Sequence, residues 1–210
     1  LSIAAGYLFA FLITYYYGAQ GMGIYSITYT ILLISTIISV LGLDAASIRF
    51  VAENSSINKI KTIYVNILKL VIPLSLFLGI INYFLSPFLA DIFEDKQLIK
   101  TIKYISFGIL PLALIHIHSE GLRGFKNIKL YSILRFASIP LVASALLFFL
   151  NNIGNKDAST PIIAYVVAIY FVFLISLVIW FKKIDIFSGY TNGTISFKYL
   201  LNISLPMLLT

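Results

Sequence analysis

Six apolar runs of roughly bilayer length dominate this sequence, and a seventh opens near its end. A helix needs about 20 largely apolar residues to cross a hydrocarbon core of about 30 Å. Membrane β-strands are only about 10 residues long and alternate in polarity, which these runs do not. The sequence therefore predicts an all-α, polytopic transmembrane bundle with six spans and the start of a seventh. The predicted spans cover residues 1–17, 24–43, 63–90, 98–119, 133–150 and 162–181, and the last begins near residue 199.

The composition agrees with a membrane location. Apolar residues make up 60% of the chain and charged residues 11%, whereas soluble domains contain about 45–50% and about 25%. A chain of 210 residues cannot bury so much apolar surface within itself, but lipid can cover it. The sequence has no cysteine, which excludes thiolate zinc sites and cysteine nucleophiles. It also lacks nucleotide-binding and metalloprotease motifs, so we predict a protein that is not an enzyme and has no cofactor, metal or nucleic-acid partner.

The basic residues divide unequally between the two sides that alternating spans create. Eleven lie on one side and four on the other, which accounts for all 15 Lys and Arg residues. Because cytoplasmic loops carry the excess of Lys and Arg, we predict that loops 54–61, 121–129 and 182–198 are cytoplasmic in a plasma or inner membrane. The eleven residues are Arg49, Lys59, Lys61, Lys69, Arg123, Lys126, Lys129, Arg135, Lys182, Lys183 and Lys198.

The end of the second span carries the first set of candidate site residues. Arg49 and Glu53 are four residues apart and share a helix face, and Asp44 lies five residues before Arg49, off that face. Together they could line a polar cavity in which Arg49 offers paired donors to a phosphate. Alternatively, Arg49 simply pairs with Glu53 and extends to the lipid headgroups.

The third and fourth spans carry the second set. His116, Glu120 and Arg123 follow one another at helical spacing on one face. A histidine beside a carboxylate near the membrane surface could relay protons, or the three residues could cap the span before the basic loop that runs to Arg135. Lys69 lies about two turns inside the third span, where a lysine is costly unless it reaches water or an anion. It could contact substrate or extend to the membrane surface.

Three segments carry a resemblance to a known family. They are residues 17–25 (Tyr-Gly-Ala-Gln-Gly-Met-Gly-Ile-Tyr), residues 42–53 (Gly-Leu-Asp-Ala-Ala-Ser-Ile-Arg-Phe-Val-Ala-Glu) and residues 120–127 (Glu-Gly-Leu-Arg-Gly-Phe-Lys-Asn). Together they resemble the polysaccharide-biosynthesis flippases of the multidrug/oligosaccharidyl-lipid/polysaccharide exporter superfamily. The resemblance implies two helical lobes around a central cavity. Residues 1–181 would form the first lobe, 182–198 a cytoplasmic inter-lobe loop and 199–210 the start of the second. Because the chain begins and ends inside apolar runs, we expect it to be a fragment of a longer protein.

The resemblance also implies a substrate and its binding residues. Family members move polyprenyl-(pyro)phosphate-linked sugars from the cytoplasmic to the outer leaflet, so we expect membrane lipids and polysaccharide assembly proteins as further partners. A cationic cleft would lower the cost of taking the polar headgroup out of water. The resemblance points to Arg49 and Arg123 for this role, with Arg135 and Lys69 as further candidates.

Two other functions remain open on the sequence. A cation-coupled exporter of small molecules, from the same superfamily, usually needs a carboxylate within the membrane, and no predicted span carries an acid at its centre. A membrane-embedded transferase that uses His116 or His118 as its base should show several polar catalytic residues at one depth, and the sequence shows only this pair. Both observations favour the flippase.

Overall fold

A computed structural model describes residues 2–53, 56–153 and 157–185, together with positions 200, 202, 204 and 206. Nearly all of these residues are helical, and none of them lies in a strand. The predicted all-α class is therefore confirmed. The helices are α1 (Ser2–Val40), α2 (Leu43–Glu53), α3 (Ile57–Ile92), α4 (Gln97–Ser106), α5 (Ile109–Gly124), α6 (Ile128–Ser132), a π-helix (Ile133–Ala137), α7 (Ser138–Ile153) and α8 (Thr160–Ile184).

Several of these helices are long and apolar enough to cross a membrane. In the described part of the chain there are four such helices, or five crossings if α4 and α5 count as one bent span. The count of six spans and the start of a seventh stays a prediction. Residues 186–199, and most of 200–210, lie outside the described residues, so the expected inter-lobe loop and second lobe also stay predictions. The four helices are Ile3–Val40, Ile57–Ile92, Ile128–Asn152 and Thr160–Ile184.

α1 is not one straight rod, because it folds back at Gly18. This residue adopts φ 66° and ψ −167°, a combination that is essentially confined to glycine. The rings of Phe9 and Tyr25 lie 5.3 Å apart, although a straight helix would separate positions 9 and 25 by about 24 Å. The arms 2–17 and 19–40 therefore pack against each other. The sequence predicts a break over residues 18–23, and the structure narrows it to a single residue.

The predicted fourth span, residues 98–119, is also broken, because α4 and α5 are bent by 48° relative to each other. Pro111 explains the bend, since it has no N–H to donate to the carbonyl of Phe107 and its ring crowds that carbonyl. The hydroxyl of Tyr170 on α8 donates to the same carbonyl at 2.9 Å. A neighbouring helix thus supplies the hydrogen bond that the proline removes, as spanning helices require.

Three predicted loops are shorter than expected. α3 begins at Ile57, so most of the predicted loop 54–61 is helical. α5 continues to Gly124 within the predicted loop 121–129, and α8 continues to Ile184 within 182–198. The apolar runs underestimate the helices because a run ends at its first charged residue, whereas backbone hydrogen bonding continues for another turn or more.

α5 lies at the centre of the bundle and packs against α1, α2, α3 and α8. Its residues 111–115 and 117–122 are buried, whereas α3 and α8 each keep an exposed apolar face. α2 approaches the end of α5 closely at Gly124, where a Cβ atom would lie 2.9 Å from the carbonyl oxygen of Ile48. This packing brings the polar residues of α2 and α5 to the same end of the bundle.

Candidate functional site

A polar cavity of about 270 Å³ lies between the start of α2, the end of α5 and the π-helix. Asp44, Glu120 and Arg135 contribute its charged groups, one from each of these three elements. The wall therefore contains two carboxylates and one guanidinium. The remaining lining residues are Ile37, Val40, Gly42 and Ala45.

Asp44 reaches the cavity because the chain turns sharply before α2. Leu41 and Gly42 adopt positive φ values of 51° and 72°, which separates the second arm of α1 from α2. Asp44 then lies in the first turn of α2, where the helix dipole stabilises a carboxylate. Its Oδ1 accepts a hydrogen bond from the backbone N–H of Ala45 at 2.9 Å. Its Oδ2 lies 3.5 Å from Nη2 of Arg135.

Arg135 lies in the π-helix that joins α6 to α7. Such wider turns occur frequently at functional sites. The π-helix is followed by Pro140, which has no N–H to donate to the carbonyl of Phe136 and whose ring crowds that carbonyl. The wider turn of the π-helix gives the carbonyl room. The side chain of Arg135 is only 20% exposed, and its Nη1 has no hydrogen-bond partner among the described residues. One nitrogen of a sheltered guanidinium is therefore available to a ligand.

Glu120 is only 7% exposed, although it lies near the end of α5. Its Oε2 lies 3.5 Å from Nη1 of Arg123, and Tyr131 and Arg135 are also close enough to interact with it. The guanidinium of Arg123 lies 5.1 Å from the centre of the Tyr131 ring. Charge-assisted hydrogen bonds are shorter, at about 2.7–2.9 Å, so Glu120 and Asp44 are held loosely by their arginines and can exchange them for other partners.

His116, Glu120 and Arg123 of the second candidate set lie close to one another, and Asp44 and Arg135 join them, whereas Lys69 of that set does not line the cavity. His116 lies one turn before Glu120 and close enough to Arg135 for their charges to interact. Arg123 pairs with Glu120, and Arg135 pairs with Asp44. Within the described ranges, no group of three or more His, Asp or Glu side chains could hold a metal ion. The arrangement suits anion binding by an arginine and proton or cation binding by two carboxylates.

The first candidate set does not assemble around the cavity. Arg49 Nε donates to Glu53 Oε1 at 2.7 Å, and both side chains are 52% exposed. Lys69 lies on the exposed face of α3. Asp44 and Arg49 are five residues apart and lie on different faces of α2. Asp44 lines the cavity with Glu120 and Arg135, whereas Arg49 pairs with Glu53. Substrate contact by Arg49 or Lys69 stays a prediction.

Two buried polar groups were not predicted. Lys61, which the sequence suggests is a loop residue, is 1% exposed within α3. His118 is fully buried, with Nε2 2.8 Å from the Tyr64 hydroxyl and Nδ1 3.0 Å from Ser176 Oγ. This network joins α3, α5 and α8. For His118 the available signal was a polar residue inside an apolar run, where such residues commonly form hydrogen bonds between helices. Lys61 lies outside the predicted runs and gave no such signal.

Comparison with known proteins adds one family. The sequence profile of the MatE family matches residues 2–149, which include Asp44, Glu120 and Arg135. The match therefore covers more than half of the chain and all three charged residues of the cavity. No curated protein and no solved structure matches the chain.

Proposed function

The chain belongs to the MatE family, whose members are membrane transporters and not enzymes, and from this we propose that its substrate binds at the cavity lined by Asp44, Glu120 and Arg135. A multi-pass transporter of the multidrug/oligosaccharidyl-lipid/polysaccharide exporter superfamily must offer polar groups to a substrate that leaves water. The unpartnered Nη1 of Arg135 is the observation that carries this proposal. A buried donor without an acceptor is costly, and a bound anionic group would supply that acceptor.

We propose that the substrate is a lipid-linked oligosaccharide and that the protein flips it for cell-surface polysaccharide synthesis. A sugar-pyrophosphate headgroup loses favourable hydration in hydrocarbon, and a guanidinium is well suited to replace that water because it donates two parallel hydrogen bonds. In this mechanism the phosphate displaces Asp44 from Arg135, which is favoured by the long 3.5 Å separation of that pair. Arg123 offers a second cation 3.5 Å from Glu120. The polyprenyl tail stays in the bilayer.

A cation-coupled exporter of small molecules is at least as consistent with the MatE match. Glu120 supports this second candidate, since it is 7% exposed and faces the same cavity as Asp44. The bundle therefore carries a sheltered carboxylate, which the sequence did not indicate. In such an exporter, a proton or metal cation would bind the carboxylates, weaken their attraction for Arg135 and change the packing between α2 and the π-helix.

Transport in reconstituted vesicles distinguishes the two functions. The substrates are a fluorescent polyprenyl-pyrophosphate oligosaccharide and a cationic dye, each tested with and without a proton or sodium gradient. A flippase should move the lipid, and Arg135→Ala should reduce that movement at least about tenfold, equivalent to about 1.4 kcal/mol. An exporter should move the dye only with a gradient, and Glu120→Gln should abolish that movement. Lys96→Gln, at an exposed position, is the control. The experiment uses the full-length protein with both lobes, and transport of neither substrate by that protein would refute both candidates.

We also propose six crossings, with the strongly basic end in the cytoplasm. The folding back of α1 at Gly18 supports two crossings by this helix, and the excess of Lys and Arg supports the orientation. Because the sequence contains no cysteine, single cysteines can be introduced without background. An impermeant thiol reagent applied to intact cells should label Lys96→Cys and spare Lys126→Cys. The reverse labelling pattern would contradict this orientation.

A further inference from the structure

One end of the bundle carries five exposed cations that do not line the polar cavity. They come from the end of α5, from the turn and short helix that follow it, and from the end of α8. We call them the basic surface. Its members are Arg123, Lys126, Lys129, Lys182 and Lys183.

Close packing between the ends of α5 and α8 brings these cations together. A Cβ atom on Gly121 would collide with the ring of Trp180, so the two helices touch at this point. The rings of Phe125 and Trp180 are 6.1 Å apart. Nζ of Lys183 lies 4.9 Å from the centre of the Phe125 ring. The lysines of α8 therefore lie beside the turn that carries Lys126.

The aromatic residues under the basic surface indicate its depth in the membrane. Lys183 lies over Phe125, and Arg123 lies 5.1 Å from the centre of the Tyr131 ring. Trp180 is buried beside Phe125. Trp and Tyr rings concentrate where the hydrocarbon meets the lipid headgroups. We therefore expect the cations beside Tyr131 and Trp180 to lie at the level of lipid phosphates.

The basic surface contains few acids. Glu120 is buried and pairs with Arg123. Asp185, at the end of α8, is exposed and lies two residues after Lys183. The opposite end differs, because its cations are accompanied by acids close in the chain or in space. Lys100 pairs with Asp157 there. Among the described residues, the other charged ones of that end are Asp91, Glu94, Asp95, Lys96 and Lys103.

We propose that the basic surface binds the headgroups of anionic phospholipids and holds them against the ends of α5 and α8. Charge complementarity favours this occupant, because anionic lipids lie at the depth of these cations and each Lys or Arg near an anionic membrane surface strengthens attraction about fivefold. Packing of Phe125 between Trp180 and Lys183 keeps two of the cation-bearing segments in place. Arg123 also pairs with Glu120 of the cavity, but the four lysines of the basic surface have no part in the proposed substrate mechanism, and the lipid site does not depend on which substrate is carried.

The fluorescence of Trp180 can test this proposal, since it is the single tryptophan of the sequence. The full chain is reconstituted in phosphatidylcholine vesicles that contain increasing fractions of acyl-brominated phosphatidylglycerol or acyl-brominated phosphatidylcholine. Bromine quenches tryptophan only at short range, so quenching reports which lipid occupies the surface above Trp180. We expect phosphatidylglycerol to bind at least about fivefold more tightly than phosphatidylcholine, and we expect this preference to decrease as salt screens the charges.

Two variants complete the test. In the triple variant Lys126→Gln/Lys182→Gln/Lys183→Gln, both brominated lipids should quench Trp180 equally. The control variant Lys96→Gln/Lys103→Gln, at the opposite end, should keep the preference for phosphatidylglycerol. Equal quenching of the parent protein by the two lipids would overturn the proposal, and so would a preference that survives in the triple variant. The salt dependence of the parent protein gives an independent result if the triple variant does not fold: a preference insensitive to salt would also overturn the proposal.

Discussion

Nη2 of Arg135 lies 3.5 Å from Oδ2 of Asp44, and this contact connects the π-helix to the first turn of α2. Both side chains are about four-fifths buried, with 20% and 21% of their surface exposed. Glu120 lines the same cavity, so one guanidinium lies between two carboxylates. A proton that binds either carboxylate, or an anion that binds the guanidinium, changes the electrostatic balance of the other two groups.

The energy of this ion pair can be measured by a double-mutant cycle. Arg135→Ala should lower the free energy of unfolding more than Asp44→Asn does, because it removes the guanidinium shared by Asp44 and Glu120. We expect a coupling energy of about 1–2 kcal/mol between Asp44 and Arg135, measured by chemical unfolding in detergent micelles. The exposed pair Arg49–Glu53 is the control, and its coupling should stay below about 0.5 kcal/mol. Equal coupling in the two pairs would contradict the assignment of a sheltered cavity.

The fold-back of α1 should depend on glycine at position 18. Alanine there would have to adopt φ 66°, which costs about 1–3 kcal/mol. Gly18→Ala should therefore lower the free energy of unfolding by this amount. Gly23→Ala is the matched control, because nothing lies within 4 Å of its added Cβ. Alanine is a better helix former than glycine by about 0.5–1 kcal/mol, so this control should be neutral or stabilising. Similar destabilisation by both substitutions would argue against a reversal at Gly18.

The buried His118 network should contribute to stability and not to transport. His118→Phe removes the contacts with Tyr64 and Ser176 and should cost about 1–3 kcal/mol in unfolding free energy, because it leaves polar groups buried without a partner. Tyr64→Phe should cost less, since Ser176 remains within reach of the histidine. Transport per folded molecule should stay at the parent level. A loss of transport without a loss of stability would instead place His118 in the transport mechanism.

The contact between Lys100 and Asp157 predicts a pH-dependent contribution to stability. The hydrogen bond from Lys100, assisted by the backbone N–H of Ser159, lowers the pKa of Asp157 below its ordinary value of 3.8. A carboxyl group with a lowered folded-state pKa stabilises the protein fully above its unfolded pKa, and this stabilisation is lost as pH falls through the folded pKa. The difference in Tm between the parent protein and Asp157→Asn should therefore be constant from about pH 7 to about pH 5 and vanish at lower pH.

The magnitude of this effect should be small. Both side chains are about half exposed, at 53% and 49%, and exposed ion pairs contribute little to stability. We expect a difference of a few degrees at most, measured by thermal unfolding in detergent at low ionic strength. High salt should reduce it further. A difference that persists unchanged at the lowest pH would show that Asp157 stabilises the fold through some contact other than its charge.

The sequence by itself determined that this chain is a bundle of membrane helices and where most of the breaks fall. Apolar length is a property of consecutive residues, so it can be read without knowing any tertiary contact. Proline and glycine act just as locally. Pro111 lacks an N–H wherever the helix lies, and Gly18 tolerates a positive φ whatever it packs against. The spacing of His116, Glu120 and Arg123 likewise follows from helix geometry.

Only the tertiary structure decided which charged residues of different helices meet. The positive φ values of Leu41 and Gly42 set the direction of α2, and the π-helix shifts the register that carries Arg135. Neither feature follows from a regular helical period, so the contact between Asp44 and Arg135 could not be predicted from the sequence. The same holds for Lys61 and His118, whose burial depends on neighbouring helices. Local geometry predicts faces of one helix, but a cavity forms where the faces of several helices converge.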